Sequence, residues 1–363
     1  MDKKFFNAFS LIPGVGPQKI KVLLSFFDSI EAAWSANRQE LLQSGLSEAL
    51  VEKIETERKN INPDIEWEKL ERAGVTTIEL DSPHYPVSLR EITHPPFLLY
   101  LKSANPDFDF NLQPAIAIVG SRKITAYGQQ AAYRLASDLA KAGLTVVSGL
   151  ALGVDAVAHR GALDAGGRTI AVLGSSVEDS LVGPRTNFQL SREMLSTGCL
   201  VSELPLGVSA NPGTFPARNR LMAGMTLGTV VIEAAVDSGS LITAKLAVEF
   251  NREVFAVPGS IFSPVSEGTH QLIKAGAKLV TGVADILSEL QIGTRTNSTA
   301  AKQTIPATLE EEKLLRELSH EPVHVDTLIK ITTLGASAVS GTLAILEMKG
   351  LVKNVGGQNY IIV

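Results

Sequence analysis

Between Ala115 and Leu290 the chain repeats one arrangement: a short apolar run gives way to Gly or Ser, and a helical pattern follows. The runs read AIAIVG, LTVVSGL, TIAVLG, GCLVSEL, GTVVIEAA, EVFAVPG and AKLVTG, separated by segments such as QQAAYRLASDLAKAG. The runs do not alternate apolar with polar residues. Each strand is therefore predicted to be covered on both faces, as in a parallel sheet with helices above and below. The expected fold class is α/β, with a parallel-sheet core. In such a sheet ligands bind outside the carboxyl ends of the strands, where these glycines and serines fall.

The flanks differ from the core. Residues 1–78 are expected to form a helical domain of SAM or helix-hairpin-helix type, with helical spacing from Lys3 to about Thr77. Within it, LIPGVGPQKIKVLLSFF resembles half of a helix-hairpin-helix, whose Gly-x-Gly turn offers N–H groups to a phosphate. A tight turn between two bundle helices accounts for it as well, and no DNA contact is assigned to it. The core domain is placed at 79–290, and the polar stretch at 291–308 reads as a linker. Residues 309–363 give three helices and a hairpin around Gly356-Gly357, the order of a winged helix. Its third helix, SAVSGTLAILEMKG, carries one Lys, one Glu and no Arg. A groove reader brings Arg, Lys, Asn or Gln to base edges, so a protein contact is expected of this module rather than duplex recognition.

Several classes of chemistry are excluded. Cys199 is the single cysteine, which leaves no internal disulfide, and no CxxC or Cys/His cluster exists for zinc. Neither GxGxxG nor GxxxxGK[ST] occurs, so no NAD or ATP cofactor is expected. No run approaches the about 18 apolar residues of a membrane helix, and the expected location is cytoplasmic. The net charge of −5 argues at first against a polyanionic ligand. Divided along the chain, residues 1–114 hold 12 basic against 17 acidic residues, 115–278 hold 14 against 12, and 279–363 hold 7 against 9. The core is slightly basic between acidic flanks.

Four stretches carry candidate chemistry. After the strand Ala115–Val119 come Gly120, Ser121 and Arg122, with a helix beginning near Thr125. Glycine lets the backbone approach a ligand, and free N–H groups at the helix start would bind an anion. The second, VVSGLALGVDAVAHRGAL, sets Asp155 and His159 four apart, which reads as an i,i+4 structural contact on a partly buried helix. The third, GTFPARNRLMAGMT, sets Arg218, Asn219 and Arg220 side by side on a loop after the aromatic plate of Phe215. Basic and aromatic side chains together suit a single strand, because bases stack while phosphates pair with Arg. In the fourth, Ser238-Gly239-Ser240 opens a helix that carries Thr243 and Lys245, and Ser240 marks a second candidate anion site.

The ordered set VGSR, SGLALGVDAVAH, FPARNRLMAG, EAAVDSGSLITAKLA, VFAVPGS and GTHQLIKAGA resembles the DNA-processing protein A (DprA/Smf) family, and YPVSLREITHPPFLLYLKS is similar to the segment leading into that family's core. The resemblance implies an extended Rossmann-like parallel-sheet core in a non-catalytic protein that binds single-stranded DNA, protects it, and brings the recombinase RecA onto incoming strands during natural transformation. It also implies a homodimer. Carried over residue by residue, the family's DNA pocket maps to Gly120, Ser121, Arg122, Arg218, Asn219 and Arg220, and to Lys245. One loop departs from the family pattern. In GSSVEDSLVGPRTN, Ser176 stands for a glycine, Glu178 for an aspartate and Gly183 for a tyrosine, with about two extra residues before Asn187.

Two other classes compete. A Rossmann-type nucleotide or nucleotide-sugar hydrolase needs a placed carboxylate, for which Glu203 and Glu233 at strand ends are the candidates. A transcription regulator would rest on the winged helix, whose third helix is poor in basic residues.

Overall fold

The computed structural model describes residues 3–292, 308–319, 323–348 and 351–362. Most of the expected linker at 291–308 lies outside them. The described residues fall into two compact units, Met1–Thr294 and Arg295–Val363.

The first unit opens with six short helices, from Lys3–Ser10 through Pro17–Phe26, Ile30–Ser35, Arg38–Gln43 and Glu48–Glu57 to Pro63–Arg72. Side-chain oxygens of Ser29, Asn37 and Asn62 accept from backbone N–H groups at three helix starts, and Asn37 with Glu40 completes a capping box. Helix ends sooner than the sequence suggested. Thr76-Thr77-Ile78-Glu79 is strand β1, since two successive threonines and an isoleucine favour extended backbone.

Strand β1 (Thr76–Glu79) pairs antiparallel with β2 (Leu98–Lys102), and β2 pairs antiparallel with β6 (Cys199–Ser202). The other strands are β3 (Ala115–Val119), β4 (Thr145–Ser148), β5 (Thr169–Val172), β7 (Gly228–Val231), β8 (Glu253–Ala256) and β9 (Lys278–Leu279). They complete a nine-stranded sheet in the order β1-β2-β6-β5-β4-β3-β7-β8-β9, parallel from β6 to β9. Strands β4, β5, β6 and β7 are buried along their whole length, as their unbroken apolar runs require. One face packs Ile116, Ile118, Val146 and Val230 against Leu135 and Leu139 of helix Ala126–Lys141. The other packs Val119, Val147, Val172 and Val231 with Leu221 and Met222 of helix Thr214–Gly224. Strand order runs outward in both directions from β3, so the chain switches direction between β3 and β7. A crevice opens outside the strand ends at such a point.

The six helices join this body at β2. The buried Tyr100 hydroxyl donates to Asn7 Oδ1 at 2.9 Å, and Phe6 stacks on Phe97 with centroids 6.0 Å apart.

The second unit has helices Leu309–Glu317, Val325–Thr332 and Ala336–Met348 and the strands β10 (Val323–His324), β11 (Val352–Gly356) and β12 (Asn359–Ile362), in the order β10-β12-β11. Leu314, Leu328, Val339, Leu343 and Val352 form its core. The lone Glu347 of the third helix accepts from Asn354 N at 3.0 Å and ties the helix to the hairpin. Among the described residues no single helix is long and apolar enough to cross a membrane.

Candidate functional site

The crevice between the ends of β3 and β7 is a cleft of about 530 Å³, lined by Gly120–Lys123, Phe215, Arg218, Asn219 and Ser238–Ser240, among others. Its base is built from close backbone contacts. A Cβ on Gly120 would sit 2.7 Å from Val154 Cγ2 and 2.9 Å from the Glu233 carbonyl, so only glycine lets the turn after β3 lie on these neighbours. Ser121 N donates to that carbonyl at 2.8 Å, and its hydroxyl accepts from Lys123 N at 3.1 Å. These bonds hold the turn so that Arg122 stands exposed at the mouth.

At the start of helix Ala126–Lys141, where the sequence suggested free N–H groups for an anion, two backbone N–H groups are already engaged. Glu233 accepts from Thr125 N at 3.0 Å and also from the Thr125 hydroxyl, while Gly128 N donates to Thr125 Oγ1 at 3.1 Å. A carboxylate of the protein itself takes the anion position at this positive helix end.

The segment Thr214–Gly224 is a helix and not the loop read from its sequence. Pro216 falls in the first turn, where no helical acceptor awaits its missing N–H. Helical geometry then separates the two arginines. Arg218 turns inward, 7% exposed, with Nη1 donating to the Val172 carbonyl at 3.2 Å and Nε without a partner. Phe215, one turn earlier, is half-buried; the Arg122 guanidinium lies 5.2 Å and the Arg218 guanidinium 6.0 Å from its ring centroid. Two cations and one ring therefore share the wall of the cleft. Arg220 turns away. It donates to the His94 carbonyl at 2.8 Å and forms an ion pair with Glu203, beside a separate cavity lined also by Gly16, Ile20 and Pro96.

Beneath Arg218, Asp155 is 6% exposed and accepts from Gly149 N at 3.1 Å and Ala151 N at 3.3 Å. Burial raises its pKa above the ordinary carboxylate value, with the Arg218 charge opposing the rise. Burial likewise lowers the pKa of Arg218, opposed by Asp155. Asp155 and His159, four apart on helix Val154–Asp164, each take their own hydrogen-bond partners. His159 Nδ1 lies 2.6 Å from Thr169 Oγ1, and burial, with the Arg218 charge, pushes its pKa down to about 3. Among the described residues no cluster of His, Cys, Asp or Glu could hold a metal ion.

On the far wall, Ser240 is buried with its hydroxyl 2.8 Å from that of Ser238, and Asn219 Nδ2 reaches the Gly239 carbonyl at 3.4 Å. Thr243 also lines the cleft, with its Oγ1 buried and without a partner. Lys245 is exposed on the same helix and does not line the cleft. Of the nine residues proposed from sequence, seven meet here; Arg220 and Lys245 do not. Lys123, absent from that set, also lines the cleft, and its place directly after Arg122 in a ligand-facing loop was the available signal. The departing loop also bears on the site. Asn187 Nδ2 donates to the carbonyls of Leu150 and Ala151 at 2.9 and 3.1 Å, and Glu178 accepts from Gly207 N at 3.1 Å.

Residues 76–291 match the model of DNA recombination-mediator protein A, and residues 298–358 match the DprA winged helix domain. The chain belongs to the DNA recombination-mediator protein A family. Within this family it is 35% identical to Protein Smf of Synechocystis sp., over 99% of this chain and 98% of the relative. It is 38% identical to Protein Smf of Escherichia coli over 83% of this chain and 80% of the relative. The DprA structure from Streptococcus pneumoniae superposes with a TM-score of 0.66 at 33% identity, over 78% of this chain and 96% of that one. DprA from Helicobacter pylori, described for its single-stranded DNA binding mode, gives 0.53 at 29% identity, over 60% and 95%. The family model begins at β1, so it takes in the whole nine-stranded sheet.

Proposed function

We propose that the cleft between β3 and β7 binds single-stranded DNA, and that the protein is a recombination mediator that protects the strand and passes it to the recombinase RecA. The observation that carries this reading is the Phe215 ring flanked by the guanidinium groups of Arg122 and Arg218. A base finds a stacking face there and a phosphate finds charge, which suits a strand of any sequence. The single-strand binding named for the Helicobacter pylori relative supports the same ligand.

The role is non-enzymatic in this reading. Glu203 and Glu233, the carboxylates at strand ends, are engaged with Arg220 and Thr125. Natural transformation, a homodimeric state and a cytoplasmic location are part of the proposal through the family resemblance. So is the division into a helical domain, a core, a linker and a winged helix that contacts protein.

An anisotropy titration of the full chain with a labelled unstructured oligonucleotide tests it. Single strands are expected to bind far more tightly than duplex, with affinity falling as salt rises. Arg122→Glu is expected to weaken binding about a hundredfold, as loss of a stacked cation and a phosphate contact implies. Unchanged binding by that variant would overturn the cleft assignment. Turnover of nucleotides or nucleotide sugars would favour the hydrolase.

A further inference from the structure

A third cavity, of about 390 Å³, lies between the N-terminal helices and β1, remote from the cleft. Four strands separate β1 from β3, which places these two strands roughly 24 Å apart at the spacing of neighbouring strands. The floor is apolar, formed by Phe6, Leu24, Ile30, Leu80 and Phe97. The walls carry Asp28, Glu31, Glu79 and Asp81. This charge is opposite to that of the DNA cleft and repels phosphate.

Glu79 distinguishes the cavity from an ordinary acidic surface. The residue is 8% exposed, and its Oε1 is buried without any hydrogen-bond partner. Lys3 Nζ approaches the other oxygen at 3.4 Å, with its own side chain 43% exposed. A buried carboxylate oxygen left without a donor is costly; Glu79 lines the cavity, and rotation of its carboxylate toward a ligand there would gain it a charge-assisted hydrogen bond. We propose that this cavity is a docking site for a protein partner that inserts a basic side chain, with an adjoining apolar residue covering the floor. Arginine fits best, because its weakly hydrated planar guanidinium tolerates partial burial and forks onto a carboxylate. The exposed Asp28 and Asp81 add attraction at the mouth, and the apolar floor supplies the area that charge alone does not.

The test uses the full chain and two capped dipeptides, acetyl-Arg-Leu-amide and its citrulline counterpart, which is neutral at nearly the same shape. Binding is followed by ligand-observed NMR. The arginine peptide is expected to bind at least tenfold more tightly than the citrulline peptide, and Glu79→Gln is expected to remove that difference while single-stranded DNA binding stays at the wild-type level. Equal binding of the two peptides, no binding of either, or a preference that survives Glu79→Gln would each overturn the proposal. Should Glu79→Gln fail to fold, the exposed Asp81→Asn serves in its place, with an expected threefold or greater loss of the arginine preference; an unchanged preference would overturn the proposal. Because DNA binding is read separately, failure here leaves the assignment of the cleft intact.

Discussion

The guanidinium of Arg218 fills the space that a side chain at residue 149 would occupy: a Cβ on Gly149 would lie 1.4 Å from Arg218 Nη1. Gly149 follows β4 and Arg218 lies on helix Thr214–Gly224, and each fixes the other. Gly149 must lack a side chain so that Arg218 can pass to the Val172 carbonyl and stand over Asp155.

Gly149→Ala is therefore expected to be far more damaging than a surface Gly→Ala change. Displacing Arg218 overpacks a buried site, at about 1–3 kcal/mol. It also leaves Asp155 without its counter-charge. Urea denaturation would register the loss, and oligonucleotide titration of the folded variant would register weakened binding. Wild-type stability in this variant would contradict the packing described.

Arg220 gives the opposite expectation for function. Sequence placed it with Arg218 as a DNA contact, whereas the structure pairs it with Glu203, both side chains being less than one-fifth exposed. Removing one partner strands a largely buried charge, so Arg220→Ala should lower stability by about 3 kcal/mol. The folded variant should still bind single-stranded DNA with wild-type affinity. Changing Glu203→Gln in the same chain should recover part of the stability, which a double-mutant cycle would measure.

His159 links stability to pH. Its folded pKa, about 3, lies below the ordinary histidine value of about 6.5. Between those values the unfolded chain binds a proton that the folded chain does not. Stability therefore falls as pH drops through this window, by up to about 1.4 kcal/mol per pH unit. Asp155 acts in the reverse sense, because its raised pKa favours proton uptake by the folded chain in acid. The His159 contribution is isolated by comparing denaturation midpoints of wild type and His159→Gln from pH 7 to pH 4. The gap between them should narrow steadily toward acid, and a constant gap would contradict a neutral buried imidazole.

The strand-end positions of the site were readable because a parallel sheet leaves a plain trace: unbroken apolar runs that stop at glycine or serine. What could not be read was which way each side chain turns. Phe215, Arg218 and Arg220 looked like neighbours on a loop. Once Thr214–Gly224 is helical, residues two apart point roughly 200° from each other, and Arg220 is carried out of the cleft. Lys245 leaves it for the same reason, two residues beyond Thr243. Glu233 was open to a different misreading. A carboxylate at a strand end looks like a catalytic acid, and its use as a helix cap for Thr125 depends on a contact 108 residues distant in sequence. Gly128 carried a trace of it, since a Cβ there would lie 2.4 Å from the Glu233 carboxyl.

Strand β1 belongs by sequence to the end of the helical segment and by hydrogen bonding to the sheet. A chain cut to begin at residue 79 would keep nearly all of the core and lose this strand. The backbone of Leu98–Lys102 would then lie open along one side, ready to pair with any extended chain it met. Truncation to the core should therefore begin before Thr76. One begun three residues later would move the sheet's edge from the short β1 to β2, and its aggregation would be mistaken for a need for the N-terminal helices.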